Sequence, residues 1–319
     1  MIAELALLLA LQARPATAAR PCDAAELRAL TAAETTPYRL TCRANLDGGR
    51  VSRPVLIQGA GASGAGIDCG GGSIGQPGAA VTTRQPTVAI WSERQGAGFS
   101  RPNAVFLRNC TIHGAVRVWG MGAGGSMSDL LESSRTAGHT AAAQGAAPAN
   151  VALDRINFLA TGSIPLYVGP GVTGLALRNS RFAGRSVSVA VYLDAESAGN
   201  VVSDNIFDIT TAREQIAVDG SAHNRIVGNR FNLGRRGGIF LYRNCGEDGV
   251  IRHQTPSDNV ITDNTFAGVN WARPQTVVVG AREGGRRYCG DDRGWPFGSS
   301  ADDGDNATGN TVERNRTVR

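Results

Sequence analysis

The sequence predicts an all-β solenoid, a single-stranded parallel β-helix with turns of about 24 residues. The first observation is a repeated phrase that starts with Asn, continues through aliphatic and variable residues to a second Asn, and ends with Phe two residues later. Full copies occupy 200–207, 224–231 and 259–266, one with Thr in place of Phe occupies 310–317, and looser versions occupy 103–112, 150–158 and 172–182. The second observation is a Phe spacing of 24, 25 and 24 residues, from Phe158 through Phe182 and Phe207 to Phe231.

The third observation is the composition of each period. Short runs rich in Val, Ile, Phe and Tyr are broken by Gly, Asn and Asp, which are strand and turn signals. A turn of this length fits three short strands, and successive turns would stack as parallel sheets roughly 4.8 Å apart. A repeated Asn can bond its amide to the Asn above and below, and it tolerates the left-handed backbone of a corner. The repeated Phe is expected to stack in the core.

On this repeat, the chain resembles the right-handed parallel β-helix proteins of the pectin lyase-like superfamily, over roughly residues 40–317. The resemblance implies the fold, an exported location and a polysaccharide ligand. It implies no catalytic residue, because this superfamily hosts many chemistries. The polygalacturonase-like set of Asn-Thr-Asp, Asp-Asp, His-Gly and Arg-x-Lys is not found, and the last is excluded because the chain has no Lys. The usual pectate lyase signature and the Asp-Pro-His-Asp motif of mannuronan epimerases are also missing.

The amino terminus has the pattern of a secretory signal. Leu5–Leu11 is an apolar core and Ala16-Thr-Ala18 fits the small-x-small cleavage rule; the alternative is a disordered apolar start. We therefore expect a signal at 1–18 and a β-helix domain at 19–319, in a secreted or periplasmic protein. No later stretch is long and apolar enough to span a membrane.

A short helix is expected to cap the first turn. Asp23 and Glu26 form a capping box, and Leu27 and Leu30 follow at helical spacing, so the helix would occupy about 23–33. The next strands are predicted at Tyr38–Cys42, Val55–Ile57 and Ile67–Cys69. The segment 120–149 is rich in Gly, Ala and Ser and is expected to be a loop or a poorly ordered turn.

Six cysteines in an exported chain predict three disulfides. The expected pairs are Cys22–Cys42, Cys69–Cys110 and Cys245–Cys289. A metal site is less favoured, because no CxxC or HxxxH spacing occurs. The acidic turn 302–306 could hold Ca²⁺ through oxygen ligands, with a solvated turn as the favoured alternative.

The charge balance indicates an anionic partner. All 32 basic side chains are Arg, and the net charge is +5. No nucleic-acid motif with interleaved aromatic residues is present. We expect the partner to be an acidic polysaccharide. The sequence leaves the oligomeric state open.

A candidate site follows from counting twelve residues past three successive Phe anchors. The count reaches Asp194, Asp219 and Arg243. Strand alternation would turn the following side chains inward: Val191, Leu193, Ile216, Val218, Phe240 and Tyr242. It would turn these outward: Tyr192, Asp194, Asp219, Leu241 and Arg243. Two acids and an Arg would then stack on one exposed sheet, with Glu196 two residues farther along.

Two long insertions flank this row. Asn259 lies sixteen positions after Arg243, and the turn after Phe266 is longer again. Long loops are usually functional, and these would form one wall of a groove. The expected substrate-binding residues are Tyr192, Glu196, Glu247, Arg252, Arg286, Arg287 and Asp291.

Two classes of function remain open from the sequence. A glycan-cleaving enzyme could hydrolyse its substrate with Asp194 and Asp219 as acid and base, while Arg243 orients the sugar. It could instead catalyse β-elimination, with Arg243 or Arg252 neutralising a uronate and His253 or a Tyr taking the proton; a structural hydrogen bond is the alternative role for His253. The second class is a non-catalytic secreted glycan-binding or surface-adhesion protein, in which the acids are a charge ladder or turn residues.

Overall fold

A computed structural model describes residues 19–79, 81–82, 84–123, 127–234, 236–268, 275–283 and 292–318. The predicted export signal lies outside these residues. The chain coils through three parallel sheets, named A, B and C here, each of which has nine strands. Each sheet adds one strand per turn of the coil, as the repeat predicts, so the predicted fold class is confirmed.

The strands of each sheet follow one another in chain order. Sheet A contains β2 (Arg43–Asn45), β5 (Gly66–Asp68), β10 (Phe106–Arg108), β13 (Ala152–Asp154), β16 (Ala176–Arg178), β19 (Val201–Ser203), β22 (Arg225–Val227), β25 (Val260–Thr262) and β28 (Thr311–Glu313). Sheet B contains β1 (Tyr38–Arg39), β4 (Val55–Gln58), β7 (Val88–Trp91), β12 (Val116–Trp119), β15 (Leu166–Val168), β18 (Val191–Leu193), β21 (Ile216–Asp219), β24 (Ile239–Tyr242) and β27 (Val277–Val279).

Sheet C closes each turn. It contains β3 (Arg50–Val51), β6 (Ser73–Ile74), β11 (Thr111–His113), β14 (Asn157–Gly162), β17 (Arg181–Ser186), β20 (Ile206–Thr211), β23 (Arg230–Asn232), β26 (Thr265–Ala267) and β29 (Arg316–Thr317). An antiparallel hairpin, β8 (Glu93–Gln95) and β9 (Gly98–Ser100), projects from sheet B after β7. The helices are α1 (Ala24–Thr31), α2 (Met127–Ser134), α3 (His139–Ala146) and α4 (Gly298–Ala301).

The repeated Phe side chains form a stack in the core, as predicted. The stack runs through Phe158, Phe182, Phe207, Phe231 and Phe266, with successive ring centroids 4.5, 4.7, 4.6 and 4.9 Å apart. All five side chains are fully buried. Parallel in-register pairing places equivalent residues of adjacent turns one strand spacing apart, and this spacing allows flat rings to stack.

Two ladders of Asn side chains line the corners. One runs from Asn200 to Asn310 and the other from Asn205 to Asn315, and each amide nitrogen donates to the amide oxygen of the next turn at 2.8–3.0 Å. The expected amide ladder is therefore present. The expected left-handed backbone belongs to the preceding residue instead, at Gly199, His223, Asp258 and Gly309 in one ladder and Asp204, Gly228, Asp263 and Arg314 in the other.

The first turn is capped as predicted. Asp23 and Glu26 exchange both capping-box hydrogen bonds at 2.9 Å, and Leu30 of α1 is buried in the core. Cys22–Cys42 and Cys69–Cys110 are disulfides, which confirms those two pairs.

The third predicted disulfide is tested only in part. Cys245 is disulfide-bonded, and its expected partner, Cys289, lies outside the described residues. The three predicted early strands exist as β1, β4 and β5, with ends one to three residues from the predicted ones.

The expected loop at 120–149 is wrong for most of its length. Residues 127–134 and 139–146 are helical, and the second helix has the Ala-rich composition that favours helices. Arg101 fixes the end of α3 by donating to the carbonyl groups of Gln144 and Ala147 at 2.9 and 3.1 Å. In the part of the chain that the structure describes, no helix is long and apolar enough to cross a membrane.

Candidate functional site

The outer face of sheet B carries the predicted row of acids, with one change of register. Val191, Leu193, Ile216 and Val218 face the core as predicted. In β24, however, Ile239 and Leu241 face the core, and Phe240 and Tyr242 pack on the outer face. The connection from Phe231 to this strand is one residue shorter, and a shift of one residue exchanges the two faces of a strand.

The register change removes Arg243 from the row. Tyr242, not Arg243, pairs with Asp219 in the sheet. Arg243 lies one residue beyond the strand, where its backbone N–H donates to Asp305 at 2.9 Å and its guanidinium donates to the carbonyl group of Asp302. The sequence prediction that Arg243 stacks on the two acids is therefore wrong.

The row is covered rather than exposed, which corrects a second expectation. Asp194 is 4% exposed and Asp219 is fully buried. The helices α2 and α3 lie on one side of the row, and the strap, defined as residues 244–258, lies on the other. Ser134 joins the two covers, because its hydroxyl accepts from Ile251 N at 3.1 Å and its carbonyl accepts from the His253 ring at 2.7 Å.

Asp194 is held by a cation and a phenol. Its carboxylate forms an ion pair with Arg252 of the strap and accepts the hydroxyl of Tyr167 from the preceding turn. Although burial lowers it, the carboxylates of Asp194 and Asp219 raise the pKa of Arg252 well above its usual value. Burial and the Asp194 carboxylate raise the pKa of Tyr167. Tyr167 is therefore a protonated phenol that donates its hydrogen bond to Asp194.

Asp219 is enclosed by its hydrogen-bond partners. Its carboxylate accepts the backbone N–H and the side-chain amide of Asn244, at 2.7 and 2.5 Å, and the hydroxyl of Tyr192 at 2.5 Å. Burial raises the pKa of this carboxyl, with Arg252 opposing and Asp194 adding to the shift. Asp219 positions Tyr192 and the start of the strap.

Glu196 ties the two covers to the solenoid. Its carboxylate accepts the hydroxyl of Thr140 in α3 and the backbone N–H groups of His253 and Gln254, the latter two at 2.7 and 3.2 Å. Burial raises the pKa of Glu196. The predicted substrate contact of Glu196 stays untested, and in this structure the side chain holds the covers in place.

His253 does not face the acids. Its ring donates to Ser134 and lies 5.1 Å from the ring of His139 and 4.8 Å from that of Phe297, measured between centroids. This arrangement is the structural hydrogen bond that the sequence left as its alternative role. The expected convergence of Asp194, Asp219, Arg243 and His253 in one cleft does not occur.

A cavity of about 370 Å³ lies beside Asp194. Sheet B forms its floor, α2 forms one wall, and the strap forms the other. Its lining residues include Arg117, Trp119, Tyr167, Tyr192, Asp194, Glu247 and Arg252. A larger cavity of about 500 Å³ lies on the earlier turns, beside Leu56, Ala89 and Trp91. We place the site in the smaller one, because Asp194, the Tyr167 phenol and the buried guanidinium groups of Arg117 and Arg252 meet there.

Three residues that line this cavity each carry a buried donor without an acceptor in the described part of the chain: Arg117 Nε, Arg252 Nε and Trp119 Nε1. Arg117, Trp119 and Tyr167 were not among the site residues predicted from the sequence. The signal was present, since Tyr167 stands one repeat before Tyr192 and β12 alternates as Val-Arg-Val-Trp. All three residues lie before Phe182, the first of the Phe anchors from which the twelve-residue count was made.

The remaining candidates have separate positions. Glu247, near the start of the strap, lines the cavity, and partial burial raises its pKa. Arg286, Arg287 and Asp291 lie outside the described residues. In the acidic turn, Asp305 accepts the backbone N–H groups of Arg243, Arg282 and Glu283 at 2.8–2.9 Å, so this carboxylate holds the backbone.

No curated protein sequence matches the chain. Among solved structures, an alginate lyase from Paenibacillus sp. str. FPU-7 is 10% identical with a TM-score of 0.35, covering 92% of this chain and 94% of that one. The Dettilon tailspike protein is 12% identical with a TM-score of 0.28, over 77% of this chain and 60% of that one. The periplasmic alginate epimerase AlgG is 11% identical with a TM-score of 0.23, over 89% and 75%.

The family-model comparison concerns the central turns. Residues 149–280 match the model described as right handed beta helix region. This segment holds the Phe stack from Phe158 to Phe266, the whole strap and most of the cavity floor. The resemblance inferred from the repeat is therefore confirmed: the chain is a right-handed parallel β-helix protein.

Proposed function

We propose that the protein is an exported enzyme that cleaves an acidic polysaccharide or oligosaccharide by β-elimination. One observation carries the proposal. A single cavity places a phenol–carboxylate pair, Tyr167 and Asp194, beside the guanidinium groups of Arg117 and Arg252. Elimination next to a uronate carboxylate needs a cation to neutralise that carboxylate and a base to remove the neighbouring proton, and the cavity supplies both.

The geometry favours elimination over hydrolysis. Glycoside hydrolysis needs two carboxyl groups that reach the same bond, and Asp194 and Asp219 were the expected pair. Asp219 does not line the cavity, and its oxygens are occupied by Asn244 and Tyr192. Hydrolysis through this pair would require the strap to detach.

The proposed step uses five side chains. Arg117 and Arg252 hold the uronate carboxylate, and the Tyr167 oxygen takes the proton from C5 as its own proton passes to Asp194. The raised pKa of Tyr167 requires this transfer, because a free phenolate is disfavoured in the buried site. The C4–O bond breaks, the electron pair forms the C4–C5 double bond, and the leaving oxygen takes a proton. Glu247 is the proposed donor, since its raised pKa suits a general acid.

The disulfides support the location. Two disulfides are present in the early turns, and disulfides persist in oxidising compartments outside the cytosol. Together with the expected signal at 1–18, they support export.

The experiment is an activity screen of the oxidised protein on polyuronates and neutral polysaccharides. New reducing ends and the ultraviolet absorbance of an unsaturated uronate are followed together. We expect both signals on a polyuronate, and Tyr167→Phe should reduce kcat by about 10²- to 10⁴-fold. Tyr38→Phe, which removes a phenol from β1 on the first turn, is the matched control. New ends without the absorbance would refute elimination.

Binding without catalysis is the second candidate. It is favoured by the state of Asp194, whose two oxygens are both occupied by Arg252 and Tyr167. A polyuronate that binds to the cavity and is recovered unchanged would support this alternative and contradict the proposed enzyme.

A further inference from the structure

We propose that Arg117, Trp119 and Arg252 form a subsite for one carboxylate group, and that its ligand is a single uronate residue. The inference rests on the proposed function for the class of ligand. It adds Trp119 to the two guanidinium groups that hold the acid, and it limits the bound portion to one or two sugar rings.

The first support is the state of Arg117. This side chain is 2% exposed, and its two terminal nitrogens donate to Ile164 O at 2.9 Å and Ser163 Oγ at 2.8 Å, both neutral acceptors. No Asp or Glu among the described residues forms an ion pair with it. A buried cation normally has a counterion. Burial lowers its pKa only to about 10, so the group is charged at neutral pH.

The second support is the set of unused donors. Arg117 Nε, Trp119 Nε1 and Arg252 Nε are buried and have no acceptor in the described part of the chain. All three residues line the same cavity. Buried N–H groups are nearly always satisfied by protein or ordered solvent, so three orphaned donors in one place indicate a bound acceptor.

The local strand geometry brings two of these donors together. Arg117 and Trp119 are two residues apart in β12 and therefore share the outer face of sheet B. The Trp119 ring has room because Gly169 is its neighbour in the next turn; a Cβ at Gly169 would lie 2.9 Å from the ring. Tyr167 contacts the same ring edge-on, with centroids 5.8 Å apart. The subsite therefore adjoins the proposed base.

The chemistry of the donors selects the ligand. Guanidinium groups match the planar geometry of a carboxylate, and an indole N–H adds one neutral donor. A volume of about 370 Å³ is at the lower end of the range of roughly 300–1,000 Å³ for ligand pockets. This is room for one or two sugar rings rather than a long segment of chain. A sulfated sugar shares the negative charge and is a separate outcome of the test.

The test is calorimetric titration of the whole oxidised protein. The ligands are glucuronate, galacturonate and mannuronate, with glucose, galactose and mannose as neutral partners and glucose 6-sulfate as the sulfated one. We expect at least one uronate to bind at least tenfold more tightly than its neutral partner and than the sulfated sugar. Equal affinity for the acidic and neutral sugars, or no binding of any uronate, would overturn the subsite. Preference for the sulfate would refute the carboxylate.

Variants locate the binding. Trp119→Phe removes a single donor and should weaken uronate binding about tenfold, without changing the affinity for neutral sugar. Trp91→Phe is the matched control, because Trp91 pairs with Trp119 in the adjacent strand but lines the other cavity. Arg117→Gln should abolish the preference for acid, and its melting temperature shows whether the variant is folded. Equal affinities for Trp119→Phe and Trp91→Phe would refute the assignment.

The two proposals fail separately. Uronate binding that depends on Trp119, without any unsaturated product, would keep the subsite and refute the lyase. Unsaturated product from a Trp119→Phe variant with unchanged KM and kcat would keep the lyase and refute the subsite.

Discussion

The amide ladder predicts a large loss of stability from one central substitution, Asn229→Ala. The Asn229 amide oxygen accepts both the backbone N–H and the side-chain amide of Asn205, at 3.0 and 2.9 Å. Its own amide donates to Val202 O at 2.8 Å and to Asn264 at 3.0 Å. Alanine would leave two N–H groups of Asn205 buried without an acceptor. At about 1–3 kcal/mol for each orphaned donor, the free energy of unfolding should fall by about 2–6 kcal/mol.

Urea unfolding followed by circular dichroism measures this change. Asn232→Ala is the matched control, because Asn232 is exposed on β23 and its amide makes only a 3.3 Å bond to Asp208. The control should change the free energy of unfolding by less than about 0.5 kcal/mol. If both variants lose the same small amount with unchanged slope, the ladder does not stabilise the solenoid and the reasoning is refuted.

Three further outcomes are expected. Burial raises the pKa of Glu196 above its ordinary value of 4.5. The contribution of Glu196 to stability is therefore complete below pH 4.5 and is lost as the pH rises through the folded-state pKa. The melting temperature of Glu196→Gln minus that of the wild type should increase with pH, and a constant difference would contradict the shift. Replacing Cys69 and Cys110 by Ser, a pair 41 residues apart, should reduce the free energy of unfolding by about 4 kcal/mol, and an unchanged urea midpoint would refute this. Because Asp305 holds three backbone N–H groups, EDTA should leave the melting temperature unchanged, whereas a decrease restored by Ca²⁺ would support the calcium site considered from the sequence.

The candidate site was only partly predictable. Asp194 and its outward direction follow from the Phe spacing, and Arg252 was expected as a substrate contact. The partners that define the chemistry come from elsewhere: Tyr167 from the preceding turn and Arg117 from the turn before that. In β24, a connection one residue shorter reversed the faces, so Arg243 was assigned in place of Tyr242. Counting along the chain cannot detect such a change, because both strand faces of this segment carry large apolar residues.

The sequence by itself determined the solenoid, its Phe stack, its Asn ladders, its capping helix and two disulfides. These features are periodic or local, and in-register stacking converts a sequence period directly into contacts between equivalent residues. The tertiary structure decided which acids reach a ligand. Helices α2 and α3 and the strap are insertions without a period, and their docking on sheet B buries Asp219, encloses Asp194 and leaves Arg117 and Trp119 facing the cavity. Docking depends on side-chain packing between segments far apart in the chain, such as Ser134 with Ile251 and His253, and no repeat in the sequence encodes it.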